Sequence, residues 1–398
     1  MPDTALGDLK VLDLGQRIAG PFCAKLFACM GADVIKVEPP DGDPSRRAGP
    51  FPGDTPHPEK SGEYLYLNMG KKGVSLNLRS DTGRDLLLKL VAQADVLIEN
   101  FHPSVMPSLG LGYDSLRKVN PRLVMASITP FGQHGPYRDY MSDDIGIHAI
   151  SGEMYLAGEP ERAPLKKGGS MAQYHGGLNA FLGSMTALWV RDDLGEGQHV
   201  DVSLAECATT NLGGFIKQAA YTGKDPIRQG NFGRPWPPGI LPCQDGYVIC
   251  ITRSGTNWWP DFKRMLNIPE LEDERFSTPR GRADNAEELD VYFVPWLMEH
   301  TKQEIFHAGQ KNRMAFAYVA TAPDLLDSPQ LKHRNFFVEL DHPVAGAWKY
   351  PSGPFKASQT PWRDSRAPLL GEHNQEVFCG RLGLTQEELG ILRQTGVV

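Results

Sequence analysis

The chain has 398 residues, 40% of them hydrophobic and 22% charged, with a formal net charge of -7. At roughly 150 residues per domain this length accommodates two or three domains, and the composition belongs to a globular chain with a sizeable core, not a disordered one. The charge, spread without long like-signed runs, argues against a nucleic-acid partner, and no stretch approaches the ~18 apolar residues of a membrane span.

Targeting and redox signals are equally plain. The N-terminus MPDTALGDLKVLDLG lacks a basic region followed by an apolar run, so no signal peptide is expected. The six cysteines, at 23, 29, 207, 243, 250 and 379, form no CxxC pair. They read as buried thiols of a cytoplasmic protein, with neither a zinc site nor a disulfide framework.

In chain order, 9–14, 33–37, 74–78, 96–101 and 123–128 are short and rich in branched residues, as strands are. Between them, 21–30 and 82–94 carry apolar residues at helical spacing, the second with Ser80 or Asp81 as cap. Strands alternating with helices imply parallel pairing, because a parallel crossover returns the chain over one face of the sheet. The first part is therefore expected to be a Rossmann-like α/β layer structure. Residues 41–62 form a long loop rich in Pro, Gly and charge, which reads as a binding or dimer element or as a solvated surface loop.

Residues 176–191, apolar almost all round, predict a buried helix, followed by the alternating strand 198–204. Composition changes near Gly223. The stretch 230–239, GNFGRPWPPG, cannot be regular structure, and a short strand at 247–252 follows it. The expected division is a large domain over 1–222, a small domain with linkers over 223–325, and a C-terminal segment over 326–398 that completes the large domain.

Three places offer chemistry. Residues 14–22, LGQRIAGPF, form a glycine-bearing turn from strand to helix whose backbone N–H groups suit an anion; the turn does not match GxGxxG. Lys71 with Lys72, and Asn100 with Phe101, stand at strand junctions, where open parallel sheets place ligands; ordinary surface lysines remain the alternative. Gln173, Tyr174 and His175 precede the apolar helix, where the His suits acid–base work or simply local hydrogen bonding. No Ser-His-Asp or metal-ligand spacing stands out.

Seven segments resemble the class III CoA-transferase family (CaiB/BaiF type) in the right order: LDLGQRIAGPF (12–22), GADVIKVEPP (31–40), LNMGKKGVSLNL (67–78), VLIENFHPSVMPSLGLGY (96–113), FGQHGPY (131–137), GEGQHVDVSL (195–204) and APLLGEHNQEV (367–377). The resemblance implies a Rossmann-like large domain, a smaller α/β domain and an interlocked dimer with sites where protomers meet. It implies transfer of coenzyme A, as thioester substrate and product and without a metal, between small carboxylic acids. An Asp attacks the acyl-CoA thioester to give a mixed anhydride and CoA thiolate, and the thiolate returns to make an enzyme–CoA thioester. Arg17, Lys72, Asn100, Phe101 and Arg138 match positions that line the family's CoA site.

The same resemblance locates departures. In patterns such as ADLTAGLYAALG the nucleophilic Asp stands ten residues before the helix glycine, which is Gly183 here, so Gln173 occupies its position. Ser108 stands where the family commonly has a phosphate-pairing Arg. The stretch 230–239 carries three prolines where a mobile loop is glycine-rich. Asp143 replaces the His of the racemase branch, which disfavours racemisation. The pattern is most similar to heteromeric members of the succinyl-CoA:benzylsuccinate type, in which an Asp-bearing paralogue is the partner subunit. A homodimeric acyl-CoA-binding or transferase-like protein with altered or no catalysis is the competing reading.

Overall fold

The computed structural model describes residues 4–230, 236–237, 239–251 and 257–398. Six strands, β1 (Lys10–Asp13), β2 (Asp33–Glu38), β3 (Lys72–Ser75), β4 (Val96–Glu99), β5 (Val124–Thr129) and β6 (His199–Ser203), form one sheet in the order β3-β2-β1-β4-β5-β6. Every pairing in it is parallel. Among the helices that accompany the sheet are α1 (Ala19–Cys29), α2 (Gly62–Leu67), α3 (Asp81–Val91), α4 (Val105–Ser108), α5 (Tyr113–Val119), α6 (Asp144–Ile150) and α7 (Met171–Leu194).

Successive strand side chains point to opposite faces, so Val11 and Leu12 enter different cores. Val11 joins Val96, Phe27 and Phe181 under α1 and α7. Leu12 joins Ile35, Leu87 and Leu116 under α3 and α5. Burial on both faces is why these strands are continuous apolar runs. Ser80 caps α3 as expected, its Oγ accepting the Gly83 N–H at 3.0 Å. β3 lies two residues before the expected 74–78, because the Asn77 N–H leaves the sheet for the Val397 carbonyl at 2.7 Å.

The helix read as buried is buried on one face only. Gly176, Ala180, Phe181, Ala187 and Leu188 face the sheet. Gly177 permits the close crossing with α1, since a Cβ there would stand 2.6 Å from the Ala19 carbonyl oxygen. The other face presents Met171, Leu178, Leu182 and Trp189, with Trp189 78% exposed. Apolar on both faces, the helix was indistinguishable in sequence from one surrounded by its own chain.

The chain divides into two compact units, 4–153 with 166–217 and 333–398, and 154–165 with 218–332. Residues 337–342 and 346–351, in the first unit, form an antiparallel hairpin, β10 and β11 in chain order. The second unit carries the antiparallel sheet β7 (Gly239–Cys243), β8 (Gly246–Ile251) and β9 (Ala315–Tyr318). Its core is aromatic, with Trp236, Trp259, Phe262 and Phe293 in mutual contact. The strand expected at 247–252 is β8; residue 252, like most of 230–239, lies outside the described residues. Among the described residues no helix is long and apolar enough to cross a membrane.

Candidate functional site

The strand order reverses between β1 and β4, so the loops leaving their C-terminal ends diverge and open a crevice. After β1 the chain turns tightly: a Cβ on Gly15 would stand 2.7 Å from the Gly20 Cα, and Arg17 adopts the left-handed region at φ 59°. After β4, Asn100 reaches across to this turn. Its Oδ1 accepts the Gln16 N–H at 2.6 Å, and its Nδ2 donates to the Gln16 carbonyl at 2.9 Å.

A buried charge network holds the turn from below. Lys36 Nζ lies 2.9 Å from Asp43 Oδ2 and also donates to the Gly15 carbonyl. Asp43 Oδ1 accepts the Arg17 N–H at 3.1 Å, and Lys71 Nζ contacts Asp13 Oδ2 at 2.8 Å. Burial opposes ionisation of Asp43, but Lys36 and the Ser45 N–H outweigh it and hold the carboxyl below its usual range. Burial likewise pulls the Lys71 ammonium down to about 8, with Asp13 resisting.

The facing wall comes from α6 and α7. Ser170 makes no side-chain cap to α7. Asp144 caps it from a separate helix, its Oδ1 accepting the Ala172 N–H at 3.1 Å and the Gln173 N–H at 3.4 Å. The other oxygen of Asp144 is 2.8 Å from Lys166 Nζ and 3.5 Å from His148 Nε2. Of the residues flagged beside Gln173, Tyr174 packs edge-on against Phe22 at 4.9 Å, and burial pushes its hydroxyl up to about 12. The His175 Nδ1 lies 3.1 Å from Asn211 Nδ2, a local hydrogen bond.

Between the walls lies a cavity of about 710 Å³, lined by Arg17, Asn100, Phe101, Asp144, Lys166 and Gln173 among others. Five residues picked out in sequence, Arg17, Asn100, Phe101, Asp143 and Gln173, thus meet in one place. Two of the positions matched to the family's CoA site do not join them. Lys72 begins β3, and its ammonium pairs with Asp33 at 3.1 Å and Glu376 at 2.8 Å. Arg138 is half-buried in the stretch that leads to α6, with Asp139 3.9 Å from its Nε.

A second cavity, of about 600 Å³, adjoins Phe101 and is lined by Gln16, Asp41, Arg47, Asn77, Arg79 and Val105 among others. Arg47 and Arg79 were not singled out in sequence. The available signal was Arg79's place just past β3, at the strand end where parallel sheets bind ligands. Ser108 is exposed on α4, its Oγ donating to the Val105 carbonyl, and the cations that line this cavity are Arg47 and Arg79.

Beneath Phe101 lies Glu99, buried at the end of β4. It accepts the Phe101 N–H at 2.8 Å and hydrogen-bonds Ser127, which in turn meets His199 Nε2 at 2.8 Å. Burial, outweighing these two hydrogen bonds, pushes the Glu99 carboxyl up to about 7. Among the described residues no group of three or more His, Cys, Asp or Glu side chains could hold a metal ion.

The parallel strand order with a crevice at its switch point makes the large unit a doubly wound α/β protein. More narrowly, the chain belongs to CoA-transferase family III, whose sequence model matches residues 6–374. It is 34% identical to the BbsE subunit of succinyl-CoA:(R)-benzylsuccinate CoA-transferase from Thauera aromatica, over 93% of each chain. It is 33% identical to succinyl-CoA–D-citramalate CoA-transferase from Chloroflexus aurantiacus, covering all of this chain and 99% of the relative. A CaiB/BaiF family protein from Brucella suis superposes with a TM-score of 0.86 at 32% identity, over 95% of this chain and 99% of that one.

Proposed function

We propose that this chain is the non-nucleophilic subunit of a heteromeric CoA-transferase, working with a paralogue that carries the catalytic Asp. The observation that carries the reading is Gln173, a neutral amide in the first turn of α7, on the wall of a cavity that also presents Arg17 and Asn100. A carboxylate can attack a thioester and release the thiolate, but an amide is too poor a nucleophile to form the anhydride. The apolar stripe Met171, Leu178, Leu182 and Trp189 supports an assembly, because an exposed apolar stripe of this kind is the usual mark of a protein partner. The relationship to BbsE, itself named as a subunit, supports a heteromer, and succinyl-CoA with a benzylsuccinate-like acid is the substrate pair to test first.

In this reading the chain binds CoA thioesters through the Leu14–Arg17 turn, Asn100 and Phe101, with Arg47 and Arg79 meeting phosphate charge where Ser108 supplies none. The test is co-expression with an Asp-bearing paralogue, followed by assay of transfer from succinyl-CoA to a panel of acids. A tight heterodimer is expected by native mass spectrometry. In it Gln173→Ala should keep most activity, whereas removing the paralogue's Asp should abolish it. Loss of transfer on Gln173→Ala, or a chain that stays monomeric beside its partner, would overturn the reading.

A further inference from the structure

His148 is a buried titratable group behind the cavity at residue 173 that nothing above puts to use. It stands four residues after Asp144 on α6, so the two share one face of that helix. Asp144 reaches the cavity and caps α7, while His148, 1% exposed, lies behind it. The His148 ring sits between two carboxylates, with Glu153 Oε2 2.5 Å from Nδ1 and Asp144 Oδ2 3.5 Å from Nε2. Glu153 is anchored in turn. Its Oε1 accepts from Lys167 Nζ at 2.7 Å and from Asn211 Nδ2 at 2.9 Å, and Asn211 also meets His175. Burial opposes ionisation of Glu153, but Lys167, Asn211 and His148 outweigh it and hold the carboxyl below its usual range.

An ionised carboxylate only accepts, so His148 donates its Nδ1 proton to Glu153. What can vary is Nε2, which is buried and has no hydrogen-bond partner among the described residues. In the neutral ring Nε2 turns a lone pair toward Asp144 Oδ2; in the imidazolium it turns an N–H toward it. The first repels the carboxylate and leaves Oδ2 to Lys166 alone; the second attracts it, where water screens little. The two oxygens of Asp144 move as one group, so Oδ1 and its hydrogen bonds to the Ala172 and Gln173 N–H groups follow. We propose that His148 is a positioning residue, whose charge sets how Asp144 holds the first turn of α7 and how much negative charge the wall beside residue 173 offers an anionic ligand.

One measurement uses the chain alone. Between about pH 5 and 8, where histidine side chains change charge, the Ala172 and Gln173 amide resonances should shift with a common midpoint in heteronuclear NMR spectra. His148→Asn keeps an N–H for Glu153 but removes Nε2. It should abolish the shift with circular dichroism unchanged, although His175 is still present. Glu153→Gln removes a carboxylate that favours the charged ring and should move the midpoint to lower pH. Amides that stay still, that move as far in His148→Asn as in wild type, or that keep their midpoint in Glu153→Gln would overturn the proposal. A second measurement rests on the transferase reading: calorimetric affinities of carboxymethyl-CoA and of its amide, carbamoylmethyl-CoA, at about pH 6 and pH 8. Both carry the same phosphates, so phosphate titration cancels between them. Relative to the amide, the acid should bind several-fold tighter at the lower pH, and His148→Asn should remove that gain. Equal pH dependence of the two analogues would show that His148 does not act on the cavity, and would overturn the proposal too. If neither analogue binds while the amides shift as expected, the positioning role stands and the transferase-subunit reading falls.

Discussion

The two walls of the cavity at the sheet's switch point are built on opposite principles. The wall from β1 and β4 is held by buried charge: Lys36, Asp43, Asp13 and Lys71 neutralise one another beneath the turn, and Asn100 clasps it from above. The wall from α6 and α7 is fixed at one point, the cap that Asp144 supplies, and the Gln173 side chain has no comparable anchorage among its described contacts. A side chain woven into a buried network cannot be exchanged without leaving a partner charge stranded, whereas one on a helix's first turn can. The wall from β1 and β4 therefore resists sequence change, and the wall that bears residue 173 tolerates it.

Five substitutions break or sharpen that contrast. The largest effect is expected for Lys36→Met, which strands Asp43 and leaves Asp13 to Lys71 alone, and should cost about 3–5 kcal/mol in urea unfolding; a loss below about 1 kcal/mol would mean the charges do not hold the wall. The wild type should show the matching acid limb. Asp43 has a depressed carboxyl, so its contribution is complete above the unfolded value near 4 and is lost as pH falls through the lower folded value.

Next comes Glu99, whose shift has the opposite sign. The folded chain holds its proton more tightly than the unfolded one, so its contribution is present below about 4.5 and disappears as pH rises through about 7. Glu99→Gln should flatten the pH dependence of stability over that interval by up to about 3 kcal/mol, as read from denaturation midpoints at several pH values. An unchanged profile would place the proton elsewhere.

Asn100→Ala removes both hydrogen bonds to Gln16 and should cost about 1–3 kcal/mol. CoA affinity by calorimetry should fall with it, because the turn loses its clasp. The smallest effect belongs to the opposite wall. Gln173→Ala should leave the unfolding free energy within about 0.5 kcal/mol of wild type. Gln173→Asp should give little enzyme–CoA thioester in the isolated chain, read by hydroxylamine trapping and mass spectrometry, because a nucleophile needs a thioester held within about 3–3.5 Å. Strong labelling at residue 173 would show that the nucleophile alone had been lost.

Legibility in the sequence followed how much each feature depends on local pattern. β1, β2, β4 and β5 were readable because strands buried on both faces are unbroken apolar runs. β3 was displaced because Lys72 and Gly73 carry no apolar signal, though both belong to the strand. The site residues divide similarly. Arg17 and Asn100 sit beside strand ends that pattern reveals, and the sheet order then brings them together. Lys72 also stands beside a strand, but spacing does not tell which way its side chain leans, and it leans to Asp33 at the start of β2. Arg47 and Arg79 looked like loop charges until the topology placed both on one cavity. The α7 stripe was hidden because its apolar residues read as core.

The edge strand β3 has a consequence for how the protein is made. Its open side is sealed by residues that follow some 300 positions later: the Gly73 N–H meets His373 Nδ1 at 3.1 Å, and the Ser75 N–H meets Asn374 Oδ1 at 2.9 Å. During translation β3 therefore leaves the ribosome well before its cover exists, and at ~5–20 residues per second the wait is at least about 15 seconds. Over that interval an unpaired strand edge is open to pairing with any neighbouring nascent chain. Slow synthesis should accordingly lower the soluble yield of this chain more than that of a protein whose sheet is closed by nearby residues.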